Sequence, residues 1–181
     1  MLLRGMPKAK TVIRTFNMRK ELVEALEKEA HSRGISTSAL LNHTIDRSVH
    51  QVWPSEKTGV LSLARDIVRG FLDHMSVDDV VKVGVLSAHE HKNRALILYG
   101  AEQRLESVLE MLDKITGPYF RWFVFTHTVS GRDHKILLSH DIGQKWSIFL
   151  EAYMRSFFLE LLDIPVRSSF TDNAVVLEFK G

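Results

Sequence analysis

Nine histidines and no cysteine set the chemistry open to this chain. Without thiols there is no disulfide, no thiolate nucleophile and no thiolate metal ligand. His89-Glu90-His91 is too close-spaced for the i, i+4 pair that grips a metal from one helix face. His127 and His140 flank a turn at residues 130–133. A hairpin there sets 127 opposite about 136 and 140 opposite about 123, which leaves the two rings beyond direct contact. His134 lies by the turn. Asp133 and Asp141 adjoin histidines, a pairing that chance supplies often. There is no Gly-x-Ser-x-Gly elbow, and Tyr99-Gly100-Ala101-Glu102 offers one glycine where a phosphate loop needs several. Tyr119, Trp122, Phe123, Trp146, Phe149 and Phe157 read as core more than as the lining of a pocket. The expectation is therefore no catalytic residue, no metal and no cofactor.

The groups that remain are hydroxyls, amides and cations near the start. Residues 11–18 alternate as a strand does. Val12, Arg14, Phe16 and Met18 share one face; Ile13, Thr15 and Asn17 share the other. The second face carries a hydroxyl and an amide, groups able to read base edges in a major groove. A strand must be held by other elements. An amphipathic helix follows from about Arg19 to Arg33, with Leu22, Val23, Leu26 and Ala30 on one stripe. Gly34 suits the left-handed position that ends a helix. Ser36 suits the cap of a second helix whose apolar face is Leu40, Leu41, Thr44, Ile45 and Val49. The first turn, Ser36-Thr37-Ser38, sets hydroxyls beside free N–H groups, which serves capping or phosphate binding. One strand and two short helices bury little, so this stretch asks for a second copy of itself.

Arg14-Thr15-Phe16-Asn17-Met18, the helix at 21–33 and Gly34-Ile35-Ser36-Thr37-Ser38-Ala39-Leu40-Leu41 resemble the ribbon-helix-helix fold of the Arc/MetJ type, in the form seen in archaeal regulators. The resemblance covers about 40 residues. It implies an obligate dimer with an antiparallel ribbon in the major groove of double-stranded DNA. By position it makes Ile13, Thr15 and Asn17 the base-contacting residues. Lys8, Lys10, Arg14, Arg19 and the turn Ser36, Thr37 and Ser38 become the phosphate-contacting ones. Ile13 departs from the usual polar residue and would touch a thymine methyl.

Charge fits a polyanion-binding head. Residues 1–52 hold nine Lys/Arg against five Asp/Glu, leaving 15 against 17 of the totals of 24 and 22. No run of 18 apolar residues spans a membrane, and the start has too short an apolar core for a signal peptide. Trp53-Pro54 to Gly59 reads as a linker. A helix is expected over 60–74, and Ser76-Val77-Asp78-Asp79 resembles a capping box opening another through about 89. Beyond residue 93 the expected order is a strand at 94–99, a helix at 101–115 stopped by Gly117-Pro118, a hairpin of 119–129 and 134–139, a helix at 144–162, and strands at 166–169 and 174–179.

The expected class is α+β: a ribbon-helix-helix domain at 1–52, a helical connector at 53–92, and an α/β two-layer sandwich, ferredoxin-like in outline, at 93–181. The expected function is a dimeric, cytoplasmic, sequence-specific transcriptional regulator. Two alternatives stand beside it: a ligand- or metal-sensing regulator whose C-terminal domain answers an unidentified small-molecule effector, and an antitoxin or partner-binding adaptor.

Overall fold

The computed structural model describes residues 11–58, 61–99 and 103–181. The chain divides into two compact units, one ending at Ile45 and one running from Asp46 to Gly181. The expected ends of the head and connector fell at 52 and 92. Here the helices after 46 belong with the C-terminal sheet, for reasons of packing given below.

The first unit holds α1 (Lys20–Ser32) and most of α2 (Thr37–Arg47). Gly34 closes α1 in the left-handed region at φ +65°, and Ile35 N–H donates back to Ala30 O at 3.1 Å. Ser36 Oγ accepts from Ala39 N–H at 3.1 Å and so caps α2. Residues 11–19 form no helix and no strand. The expected strand over 11–18 is thus not present, and the cause is plain: a strand needs a neighbour, and the described residues of this unit supply none.

The second unit begins with a π-type turn (Ser48–Val52) and α3 (Trp53–Thr58). The stretch expected as a linker is helical: α3 continues without a break from the π-type turn, with Trp53 N–H donating to Ser48 O. Then come α4 (Arg65–Asp73) and α5 (Val77–Tyr99). Ser76 Oγ accepts from Asp79 N–H at 3.1 Å and donates to Asp79 Oδ2 at 2.6 Å, the reciprocal cap that opens α5. The hydroxyl bond holds the Asp79 carboxyl below its usual pKa. The strand expected at 94–99 is the last part of α5 instead. An apolar run of that length does not distinguish the two states.

Next is α6 (Leu105–Met111), which opens into a wide π-type turn (Leu112–Phe120) before left-handed Arg121. Gly117-Pro118 does not stop the winding there. The sheet is β1 (Val124–Ser130), β2 (Asp133–Ser139), β3 (Arg167–Thr171) and β4 (Ala174–Lys180), all antiparallel in the order β1-β2-β4-β3. Between the hairpins runs α7 (Gln144–Leu162). Two hairpins joined by one helix are not the ferredoxin-like β-α-β-β-α-β order; the helical 94–99 removes its first strand.

Alternation builds the core. Ile136, Leu138, Val175, Leu177 and Phe179 face inward and are buried, while Lys135 and Glu178 face out and pair at 3.1 Å. α7 covers the inward face. It is apolar nearly all round, with Phe149, Leu150, Met154, Phe157 and Phe158 buried, because α5 lies against its other side. Gly84 of α5 makes that contact close: a methyl there would meet Phe149 O at 2.8 Å. The unit is α+β with a third layer, α5, added to the expected two.

Candidate interaction surfaces

The first unit is short of core. Among its described residues only Ala30 and Leu40 are buried. Val23, Leu26 and Leu41 are half-buried. Val12, Phe16, Met18, Leu22, Ile35 and Ile45 are exposed, Phe16 at 68% and Val12 at 74%. Except for Ile35, these are residues that the alternation of 11–18 and the helical stripes mark as inward-facing.

The predicted site residues lie as follows. Ile13 is 93% exposed, and Thr15 and Asn17 are exposed on the same irregular segment. Arg14 donates to the neighbouring Ile13 carbonyl at 3.2 Å. Arg19 pairs with Glu21 at 3.2 Å. Ser36 is occupied as the α2 cap, Thr37 is half-buried, and the Ser38 carbonyl accepts from Asn42 Nδ2 at 3.0 Å. Lys8 and Lys10 lie outside the described residues. Arg19 and Ser36 thus serve local structure.

In the second unit, polar groups gather where α4 meets the loop before α7. Arg65 pairs with the Asp141 carboxylate, and Arg69 donates to Asp141 O at 2.7 Å and Ile142 O at 2.9 Å. Lys145 donates to Asp73 O at 3.0 Å and Met75 O at 2.7 Å, satisfying carbonyls at the end of α4. His140 Nε2 lies 2.8 Å from Ser147 Oγ. A serine–histidine bond invites a catalytic reading. Ser147, however, is fully buried in α7, out of reach of a substrate. The cavity beside it, about 270 Å³, is lined by Arg69, Asp141, Gly143 and Lys145. These bonds clamp the loop to α4.

His127 and His134 do meet, Nε2 to Nδ1 at 3.0 Å, with His134 stacked on Phe179. His127 faces Ile136 across the hairpin, as the turn position required. The contact is diagonal, because His134 faces Val129 two residues along. Directly opposite positions set His127 against Ile136, so the turn position alone does not disclose the contact with His134. No group of three or more potential metal ligands occurs among the described residues.

Burial holds both His140 and His127 below the usual histidine pKa; the His134 charge adds to this at His127, and Asp141 opposes it at His140. Unfolded, each titrates near 6.5. Between that value and the lower folded one, the unfolded chain binds more protons. Their contribution is therefore complete above about pH 6.5 and lost as pH falls through the folded values. The melting temperature should hold level from about pH 8 to 7 and fall from about 7 to 5, more shallowly for His140→Asn. A level profile down to about pH 5 would contradict the lowered pKa of these two half-buried rings.

Another tie joins the chain just after Ile45 to the π-type turn before β1. Tyr119 Oη donates to the Asp46 carboxylate, Gln51 Nε2 donates to Tyr119 O at 2.8 Å, and the rings of His50 and Tyr119 stack at 6.5 Å. Burial first, then the hydrogen bond to Asp46 and last its charge, push the Tyr119 pKa up to about 12.

No protein-family model matches the chain, and no curated protein does. A solved structure does: trafficking protein particle complex subunit 3 from Naegleria fowleri, covalently bound to palmitic acid. The two share 12% identity at a TM-score of 0.44, over 76% of this chain and 97% of that one. The expectation of a DNA-binding transcriptional regulator with double-stranded DNA as partner is corrected here. Residues 11–19 form no strand, so the described residues of one chain hold no ribbon that would enter the groove. Among the described residues, no helix is long and apolar enough to cross a membrane.

Proposed function

We propose that the chain is a protein-association module whose first unit is completed by a second copy. The observation that carries this reading is the exposed apolar set of Val12, Phe16, Met18, Leu22 and Ile45 around a core of two buried side chains. Helices of 13 and 11 residues are marginal in water unless a face is covered. Each large side chain removed from water contributes about 1.5–3 kcal/mol, so covering this set is the dominant force available to the unit.

Two segments 11–18 pairing antiparallel would give each the neighbour it lacks. They would also place Val12, Phe16 and Met18 over the helices, which is the ribbon-helix-helix arrangement that the sequence resembles. In this reading Ile13, Thr15 and Asn17 form the ribbon's outer face. The second unit has its own core and is brought together with its copy by the first.

Sedimentation equilibrium of the full chain tests the reading. The expected mass is at least twice 20.7 kDa at micromolar concentration. A monomer there would overturn it.

A further inference from the structure

The two edges of the sheet are unlike. β3 is five residues long, follows Pro165 and carries Arg167, features that discourage another strand from adding there. β1 is the opposite case. Its seven residues, Val-Phe-Thr-His-Thr-Val-Ser, include no charge, proline or glycine. Among the described residues β2 is its one strand neighbour. Val124 is 70% and Val129 54% exposed. An uncharged, β-branched edge of this length is a template for strand addition.

What fits it is written in the strand. About His127 the sequence is partly symmetric: Thr126 mirrors Thr128, while Phe125 answers to Val129 and Val124 to Ser130. An antiparallel pair of identical strands has a two-fold axis, so residue i faces j and j faces i. Centred on His127, all seven residues overlap. The pairing makes two Thr–Thr pairs and two Phe–Val pairs, hydrogen-bonding and aromatic–β-branched combinations that stabilise antiparallel sheets. Residues opposite one another in a sheet lie on one face. Phe125, His127 and Val129 would thus continue the side that α7 covers, and Thr126 and Thr128 the open side.

We propose that β1 is a second self-association surface, joining two copies through β1 into one continuous eight-stranded antiparallel sheet. The partner is a second copy of this chain, in the register that sets Thr126 opposite its partner's Thr128. The proposal is independent of the first unit's pairing.

The absence of cysteine makes the register testable in the full chain. Thr126 and Thr128 are exposed on the open face, so Thr126→Cys and Thr128→Cys should fold. Under mild oxidation, an equal mixture of the two variants should form a disulfide-linked dimer within reach of cross-strand geometry. Either variant alone should form far less, because its two cysteines sit diagonally, about 7–8 Å apart. Thr126→Lys/Thr128→Lys should weaken this association by setting lysine against lysine, and Thr126→Lys/Thr128→Glu should restore it. No crosslink in the mixture, or equal crosslinking in all three samples, would overturn the proposal. Pairing through residues 11–18 alone would give that negative result while leaving the mass above that of a monomer, so the two claims fail separately.

Discussion

Phe16→Asp should halve the mass of the assembled species in sedimentation. Phe16 is 68% exposed in one chain and belongs to the face that pairing would cover. Burying a phenyl ring contributes about 1.5–3 kcal/mol, and a two-fold interface loses it twice. The loss is then about 3–6 kcal/mol, a rise of roughly 10²- to 10⁴-fold in the dissociation constant, before any cost of burying a carboxylate. The same substitution should leave the melting of the second unit unchanged, since among the described residues its core runs from Leu72 onward with Val68 packed against it. Asn17→Ala, on the other face of the segment, should leave the mass as it was. If Phe16→Asp sediments like the native chain, the apolar face is not what the copies share.

The second large effect lies in the core. Gly84→Val should destabilise the second unit by about 3 kcal/mol, at the upper end of overpacking costs. The first added carbon alone would sit 2.8 Å from Phe149 O, 3.0 Å from Ala152 Cβ and 3.2 Å from Tyr153 N. Two of these are backbone atoms of α7, which cannot turn aside as a side chain does. Gly70, in α4, has nothing within 4 Å of the same position. There Gly→Ala removes backbone freedom from the unfolded chain and should stabilise by about 0.5–1 kcal/mol. Thermal melting of the two variants should therefore move in opposite directions. A Gly84 variant that melts with the native chain would show that α5 and α7 do not approach so closely.

How far the sequence disclosed these features depended on the range of each interaction. Local signals translated well. Gly34 took its left-handed place, Ser36 and Ser76 capped their helices, and the turn at 131–132 set the register of β1 and β2. α7 begins and ends where Gly143 and Asp163 adopt positive φ, in agreement with the pattern expected for 144–162. Non-local facts were harder. The run 94–99 is apolar enough for a strand but continues a helix. Nothing in α5 itself says that Gly84 meets α7, so its helices looked like a connector. The His127–His134 contact is diagonal, and the serine that His140 binds, Ser147, lies seven residues away in the next element.

The functional signal in the first residues is ambiguous for a similar reason. Thr15 and Asn17 are the right kinds of group for base edges, and the charge of the first 52 residues is positive. Both features serve equally as the wet outer face of a protein-pairing segment. What distinguishes the first unit physically is the apolar side, Val12, Phe16 and Met18, which one chain leaves in water.

Amide hydrogen exchange of residues 11–18 in the full chain tests the central claim most directly. Paired with a second copy, alternate amides of this segment should exchange slowly, and protection should fade on dilution or with Phe16→Asp. Exchange at the rate of an unstructured peptide, at concentrations where the chain sediments above 20.7 kDa, would contradict the account.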